Sequence, residues 1–580
     1  MTYSTESEVN LQQLTFPIIK EAEVKRLIFF ELLGIVLLVI FAVIPLARAA
    51  TLIVENNSEV VNGDTTSPTA LVADAGPDGI SLREALLAII FVSGPHEILF
   101  DPSLKGTTIS LSNPLPLLPN QATIDGDIDG SGASDITIDG KNSVDNTCFR
   151  VLASDISVEG LTILNFSWSG ISVFTDSGQG WPSIERVTVR GNTISGSWAG
   201  MEFYNWGQNC TLSDIEIVEN KIVDNSDLGI LISAALGPSN TNNQLINVSI
   251  TENTISGRAV FAMGATNQGS TNNVVSGLEI SNNTINGDLL ISAANEQNCQ
   301  GNMIEDLVIQ GNVINGSPVT MEILGGVGWN TGGNAVSNLT ITENTLRGGG
   351  IQLVGGQGNN AYQNLIDIVL IEKNRISQAS ANGVFVIAGS SGATNNTVRE
   401  IKVINNVIFN NSDAGILLHG EGADTPNNTI EDVNIMNNTL VGNGNLAWAG
   451  GININTKSGT NMISGVRITN TILWGNAWND SIRGSVSPDA VGFSIVNDSR
   501  FLGHDGNFYS PPKFVDLTNE DLHLTADSPC IDAGTSKDAP RTDVEGNSRP
   551  QGRGYDLGAY EFPSGKIIAM PWIPLLLVDE

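Results

Sequence analysis

The stretch NQLINVSITENTI, residues Asn243 to Ile255, decides how this chain folds. It opens on an Asn, carries apolar residues at +2, +5 and +7, a second Asn at +10 and a further apolar residue at +12. The same skeleton returns at Asn273–Ile285, Asn302–Ile314, Asn334–Leu346, Asn364–Ile376, Asn396–Ile408 and Asn428–Leu440. Eroded copies flank these, at Leu212–Ile222 with Cys210 in the first Asn slot and at Asn461–Leu473 with Thr471 in the second. Second-slot Asn residues fall at 192, 220, 253, 283, 312, 344, 374, 406 and 438, a period of 28 to 33 residues. A unit of that size cannot bury its apolar face alone, so the repeats must stack.

Two solenoids satisfy this skeleton, and the leucine-rich repeat is the rival. The apolar slots, however, are mostly Ile and Val (Val248 and Ile250, Val369 and Ile371, Ile401 and Val403), which favour extended backbone. The return segments, such as RGGGIQLVGGQGN, are rich in Gly, Ser and Asn and poor in helix formers. They carry their own period-two alternation, as in Met201/Phe203, Ile230/Ile232, Ile351/Leu353, Val384/Val386 and Ile452/Ile454. The expectation is an all-β, right-handed parallel β-helix of about a dozen coils.

Strand side chains alternate, so +5 and +7 face the same way, and stacking coils ~4.8 Å apart turns each slot into a column. One inward column reads Val187, Ile215, Val248, Leu278, Leu307, Leu339, Val369, Ile401, Val433, Val466. Thr188, Glu216, Ser249, Glu279, Thr340 and Lys402 fall between inward slots and face water. The two Asn columns are placed at corners, in the left-handed conformation that Asn tolerates, with their amides bonding coil to coil. The rod would be on the order of 60 Å long.

The chain has 580 residues, 62 Gly, only 15% charged residues and a formal net charge of −34. That charge argues against nucleic acid and anionic membranes, since phosphate binding needs a basic surface. Residues 27–46 are apolar except for Glu31 and Gly34, follow Lys25 and Arg26, and precede the small-x-small pattern Ala47-Arg48-Ala49. Residues 1–49 therefore read as a signal peptide cut before Ala50. Uncut, the run of about 20 apolar residues would span a bilayer as a signal anchor, the one membrane contact expected. Either reading puts the rest of the chain outside the cytoplasm, secreted or at the cell surface.

After a first strand at Thr51–Val54 comes ISLREALLAIIF, residues 80–91. Ser81 and Glu84 form a capping box, and Leu82, Ala85, Leu86 and Ile89 share one helical face. A short helix there is suited to cap the open edge of the solenoid. Ser81-Leu82-Arg83-Glu84-Ala85 resembles the Cys-Ser-Leu-Arg-Glu-Ala (CSLREA) signature of the N-terminal domain of many secreted bacterial β-helix proteins, with Ile80 in place of the Cys. A disulfide formed there in that family would be absent here. From about Phe501 the cassette stops. Residues 521–562 resemble the closing segment of secreted β-helix proteins of the choice-of-anchor group, through Ser528-Pro529, Ile531-Asp532-Ala533-Gly534, Arg549-Pro550 and Asp556-Leu557-Gly558-Ala559-Tyr560-Glu561. The resemblance implies a cap over 50–120, coils over 121–500, a closing segment over 501–562 and an apolar tail over 563–580. It implies export and architecture, and no single activity.

Four features are candidates for chemistry. Asp125, Asp127 and Asp129 match the first half of a calcium loop, with Asp135 one residue short of the usual bidentate acid. Calcium needs six to eight oxygens, which these carboxylates with backbone carbonyls would supply, the alternative being a hairpin turn. Cys148, Cys210, Cys299 and Cys530 form no disulfide framework, since Cys210 and Cys299 lie three coils, about 14 Å, apart. Phe166, Trp168, Phe174, Trp181, Trp198, Phe203, Tyr204 and Trp206 crowd into 41 residues. Among them Trp198, Tyr204 and Trp206, with Glu202 as an acceptor, make a glycan-binding loop candidate. Asp227 and Asp413 share a column yet stand six coils apart, roughly 29 Å, and cannot cooperate.

No catalytic residue and no required cofactor can be named from the sequence. The favoured reading is a structural, adhesive or glycan-binding rod, monomeric, whose partner would be an extracellular polysaccharide. The alternative is a polysaccharide lyase or glycoside hydrolase of the pectin-lyase-like fold. Three carboxylates with an Arg or Lys gathered in one groove would mark that alternative.

Overall fold

The computed structural model describes residues 50–563 apart from 119–120, 142–146, 317–318, 421–424, 445–448, 457–458 and 478–481. The leader and most of the apolar tail read from the sequence lie outside the described residues. The described chain is a right-handed parallel β-helix of about a dozen coils. A first sheet of 16 strands runs from Ala50–Val54 through Gln244–Thr251 to Val491–Gly492. A second sheet of 23 strands wraps the other two faces. It combines short strands such as Val313–Asn315 with longer return strands such as Ala199–Trp206 and Gly350–Gln357. At Thr254–Met263 the short and long strands run together around the corner. The α-helices among the described residues are Pro68–Ala73 and Leu82–Ile89, both before the coils begin to repeat, which excludes a leucine-rich repeat.

Coils pair in register: Leu245 opposes Val275, Val248 opposes Leu278 and Ile250 opposes Ile280. The +5 column is buried from Val187 to Val433, and Val466 at its end is half-buried. Slots +2 and +5 differ by an odd number, so a regular strand would turn one of them outward. The residue at +4 resolves this by adopting positive φ: 55° at Asn247, 65° at Gly277, 55° at Asp306 and 53° at Asn338. That single left-handed residue reverses the phase and brings both apolar slots inside. At Ile368, φ is also 55°, with the side chain 50% exposed. A β-branched residue is costly in that conformation.

The Asn columns correct the sequence reading in one respect. The left-handed residue at each corner is the one before the ladder Asn: Glu252, Asn282, Gly311 and Glu343 ahead of Asn253, Asn283, Asn312 and Asn344. The ladder Asn itself turns inward and is buried. Its side chain bonds up and down the axis, as Asn283 does in donating Nδ2 to the Ile250 carbonyl (2.8 Å) and to Asn312 Oδ1 (3.0 Å). Buried amides are tolerable because each donor and acceptor is satisfied. Cys210 fills its slot as a buried small residue, with its backbone N–H bonded to Asn243 Oδ1 at 2.8 Å.

The N-terminal helix forms as read. Ser81 Oγ accepts the Glu84 N–H at 3.2 Å, and the Glu84 carboxylate accepts the Ser81 N–H at 2.9 Å. The same carboxylate holds the backbone of Asn62 and Gly63, tying the preceding loop to the cap. Beyond the coils, Phe508 bridges to Ile495 as a last rung. The rest of the C-terminal segment folds back along the short-strand face. Arg375 donates to the Glu520 carbonyl (3.0 Å), Asn405 to the Thr542 carbonyl (2.8 Å), and Ala559 N–H donates to Thr439 Oγ1 (2.9 Å). Leu522, Ala559 and Tyr560 pack there against Val407, Phe409 and Val441.

Candidate functional site

Side chains at alternate positions of the long return strands face away from the core, and parallel register makes them columns too. One outward column runs Ser172, Glu202, Leu231, Phe261, Leu290, Glu322, Gln352, Phe385, Leu417. Its middle is the floor of a groove of about 470 Å³ lined by Arg258, Phe261, Asp288, Leu289, Leu290, Asn295 and Glu322. Phe261 packs against the buried group of Ala199, Leu228 and Leu231, as Trp198 does, and Leu290 packs against Leu324, Val354 and Ile387, as Phe385 does.

Charged groups stand at the lip and on the floor. Arg258 pairs with Asp227 at 3.7 Å and lies beside Asp288 in strand register. Glu322 is one coil further on, opposite Leu290, with its Oε1 accepting from Gln352 Nε2 at 3.1 Å. Strand spacings place the Asp288 and Glu322 Cα atoms about 8 Å apart. Desolvation in the groove pushes the Asp288 carboxyl up, against the pull of Arg258. Desolvation, and then the negative charge of Asp288, push Glu322 up as well. The groove thus holds two carboxyls, Asp288 and Glu322, and one guanidinium, Arg258, whose ion-pair partner Asp227 stands outside the lining.

None of Arg258, Asp288 and Glu322 was singled out in the sequence. Each occupies an unremarkable outward slot, on return strands separated by loops of unequal length. The signal was the phase: Asp288 and Glu322 stand two positions apart on outward slots of neighbouring coils. The sequence-derived aromatic candidate is placed differently from the loop expected of it, because Ala199–Trp206 is a strand. Trp198 is half-buried at the groove's end, 4.9 Å from Trp168 between ring centroids. Tyr204 stacks on Phe174 at 5.2 Å, and Trp206, 44% exposed, ends the strand. Glu202 is buried, which pushes its carboxyl up despite hydrogen bonds from Ser169 and Trp168. Its Oε2 has no partner.

Asp127, Asp129 and Asp135 come together, with one carboxylate oxygen of each within 4.8 Å of the others. Asp125 stands outside this group and instead accepts the Asp127 N–H at 2.9 Å. Lys105 Nζ reaches into the cluster, 2.5 Å from Asp129 and 3.1 Å from Asp135. Hydrogen bonding to Lys105 holds the Asp129 carboxyl down at about 2. Asp127 also accepts the Ser131 and Gly132 N–H groups, as a turn-forming Asp does. The four cysteines are buried and unpaired. His419 packs edge-on against Phe385 at 6.1 Å, beyond the C-terminal end of the groove.

No family model matches the sequence, and no curated protein matches it. Among solved structures the chain is similar to pectate lyase Pel9A, at 15% identity and a TM-score of 0.27, over 89% of this chain and 96% of that one. It is also similar to the periplasmic alginate epimerase AlgG, at 11% identity and a TM-score of 0.31, over 64% of this chain and 76% of that one. The catalytic unit of a GH87 α-1,3-glucanase from Streptomyces thermodiastaticus is similar at 16% identity and a TM-score of 0.34, over 66% of this chain and 64% of that one. Identities this low bear on no individual residue of the groove.

Proposed function

We propose that the protein is an extracellular or cell-surface β-helix that binds a polysaccharide along the outer face of its long return strands, between Trp198 and Phe385. The observation that carries this reading is the groove floored by Phe261 and Leu290 and rimmed by Arg258, Asp288, Asn295 and Glu322. Apolar floor presents surface to sugar faces, and the rim presents hydrogen-bonding groups to hydroxyls, the composition expected of a ligand groove. Trp198 and Tyr204 extend it at the N-terminal end, Trp206 lies further along the same strand, and Glu202 is buried beneath them.

A second reading, hydrolysis of the bound chain, is favoured by Asp288 and Glu322. Cα atoms about 8 Å apart allow the two carboxyls to stand within the ~5–10 Å at which a pair flanks a glycosidic bond. Their upward shift, from desolvation, favours the protonated form that a general acid needs. Glu322, shifted by both burial and its neighbour, would be that acid, and Asp288 beside Arg258 the carboxylate.

The test is retention and chain cleavage on an immobilised polysaccharide panel by the wild type, Phe261→Ala, Trp206→Ala and Glu322→Gln. Binding in the groove predicts loss of retention in Phe261→Ala by about tenfold or more, the scale of one stacking ring. Glu322→Gln should abolish cleavage while keeping retention if the second reading is right. Retention by the wild type that Phe261→Ala leaves intact removes the groove from the account.

A further inference from the structure

Resting on that reading, we infer that the groove selects an uncharged polysaccharide. Lining charge is the argument. Asp288 and Glu322 line the groove with a single cation, Arg258, which pairs at 3.7 Å with Asp227, itself not a lining residue. Glu202 adds another carboxyl in the floor column, and Asp176 lies near enough to Tyr204 to act on it electrostatically. A polyuronate would bring a carboxylate on every sugar to a lining that offers one guanidinium, Arg258, against two acids. The formal net charge of −34 adds a repulsive far field.

A polycation would find the negative charge attractive, but the groove is not built for one. Between its charged groups the surface it offers is hydrocarbon and ring, from Phe261 and Leu290. Burial disfavours the charged forms of Asp288 and Glu322, and so disfavours them as counter-ions for ammonium groups. Apolar surface beside hydrogen-bonding groups suits the flat faces and hydroxyl edges of neutral sugars.

The experiment measures retention of the full chain on three groups of polymer: neutral (mixed-linkage β-glucan, xyloglucan, dextran), anionic (polygalacturonate, alginate) and cationic (chitosan). Each is run at about 10 mM and about 0.5 M NaCl, where charge attraction over more than a few ångströms is respectively strong and screened. The expected result is retention on a neutral polymer that changes less than about twofold with salt and falls in both Phe261→Ala and Phe385→Ala. Glu322→Lys should then gain retention on polygalacturonate at low salt. Preference for polygalacturonate, alginate or chitosan over every neutral polymer overturns the selectivity and leaves the groove standing. No retention on any polymer, or retention that both ring variants leave unchanged, overturns the groove and the selectivity together.

Discussion

Asn253 donates twice to one atom: its backbone N–H (2.9 Å) and its side-chain Nδ2 (3.0 Å) both reach Asn283 Oδ1, thirty residues further on. The same pairing links Asn283 to Asn312, Asn312 to Asn344, Asn344 to Asn374 and Asn374 to Asn406. The ladder is therefore a run of buried donors whose acceptors each come from a neighbouring coil.

Removing one rung should be costly out of proportion to its size. Asn283→Ala leaves the Asn253 N–H and the Ile250 carbonyl short of a partner, at about 1–3 kcal/mol for each buried group left unsatisfied, while Asn253 Nδ2 keeps the Ile217 and Thr251 carbonyls. Asn282→Gly, one residue earlier at φ 56°, should be close to neutral, since Gly311 already fills the same corner in the next coil. Equal melting temperatures for the two variants would show that the ladder is not a stabilising element.

Ile368 offers the opposite case. Its backbone is left-handed and its side chain half in water, so it incurs strain without the reward of burial. Ile368→Asn, matching Asn247 and Asn338 in the same slot, should stabilise the chain by about 1 kcal/mol. Urea unfolding midpoints of the two proteins measure this directly, and a lower midpoint for the variant would contradict it.

Calcium is proposed for Asp127, Asp129 and Asp135, where it would have to displace Lys105. If it binds, the melting temperature should rise with Ca²⁺ relative to chelator, because a ligand stabilises the state it binds. Asp127→Asn should erase the difference and Lys105→Ala should enlarge it. A wild-type melting curve indifferent to Ca²⁺ assigns the loop to turn formation alone.

His523 ties the closing segment to pH. Burial favours its neutral ring, but hydrogen bonds to Asp521 (2.6 Å) and Glu545 (3.1 Å) outweigh that and raise its pKa above 6.5. The stability this contributes is fully present below the unfolded value, about 6.5, and is lost as pH rises through the higher folded value. Half-exposure makes the effect small. The wild type should therefore lose stability relative to His523→Gln on going from about pH 6 to pH 8. A gap that is constant across that range would exclude the histidine as its source.

The cassette alone determined a great deal. Val248, Ile250 and Asn253 recur at spacings that only stacked parallel strands can use, and Ser81 with Glu84 marks a helix start by local chemistry. Those readings survive because each depends on neighbours within one coil, where sequence distance and spatial distance agree. What tertiary structure decided is the rest. Glu252 rather than Asn253 takes the left-handed corner, because the ladder amide has partners in adjacent coils that a local turn does not supply. Trp198 to Trp206 is strand rather than loop, because register with Ser169–Asp176 on one side and Leu228–Ser233 on the other claims its backbone. Arg258, Asp288 and Glu322 converge only through parallel register across coils of unequal length. In sequence they are 30 and 34 residues apart with no shared motif. Side chains gathered by stacking leave no local pattern, since the contact that unites them is between coils, not along the chain.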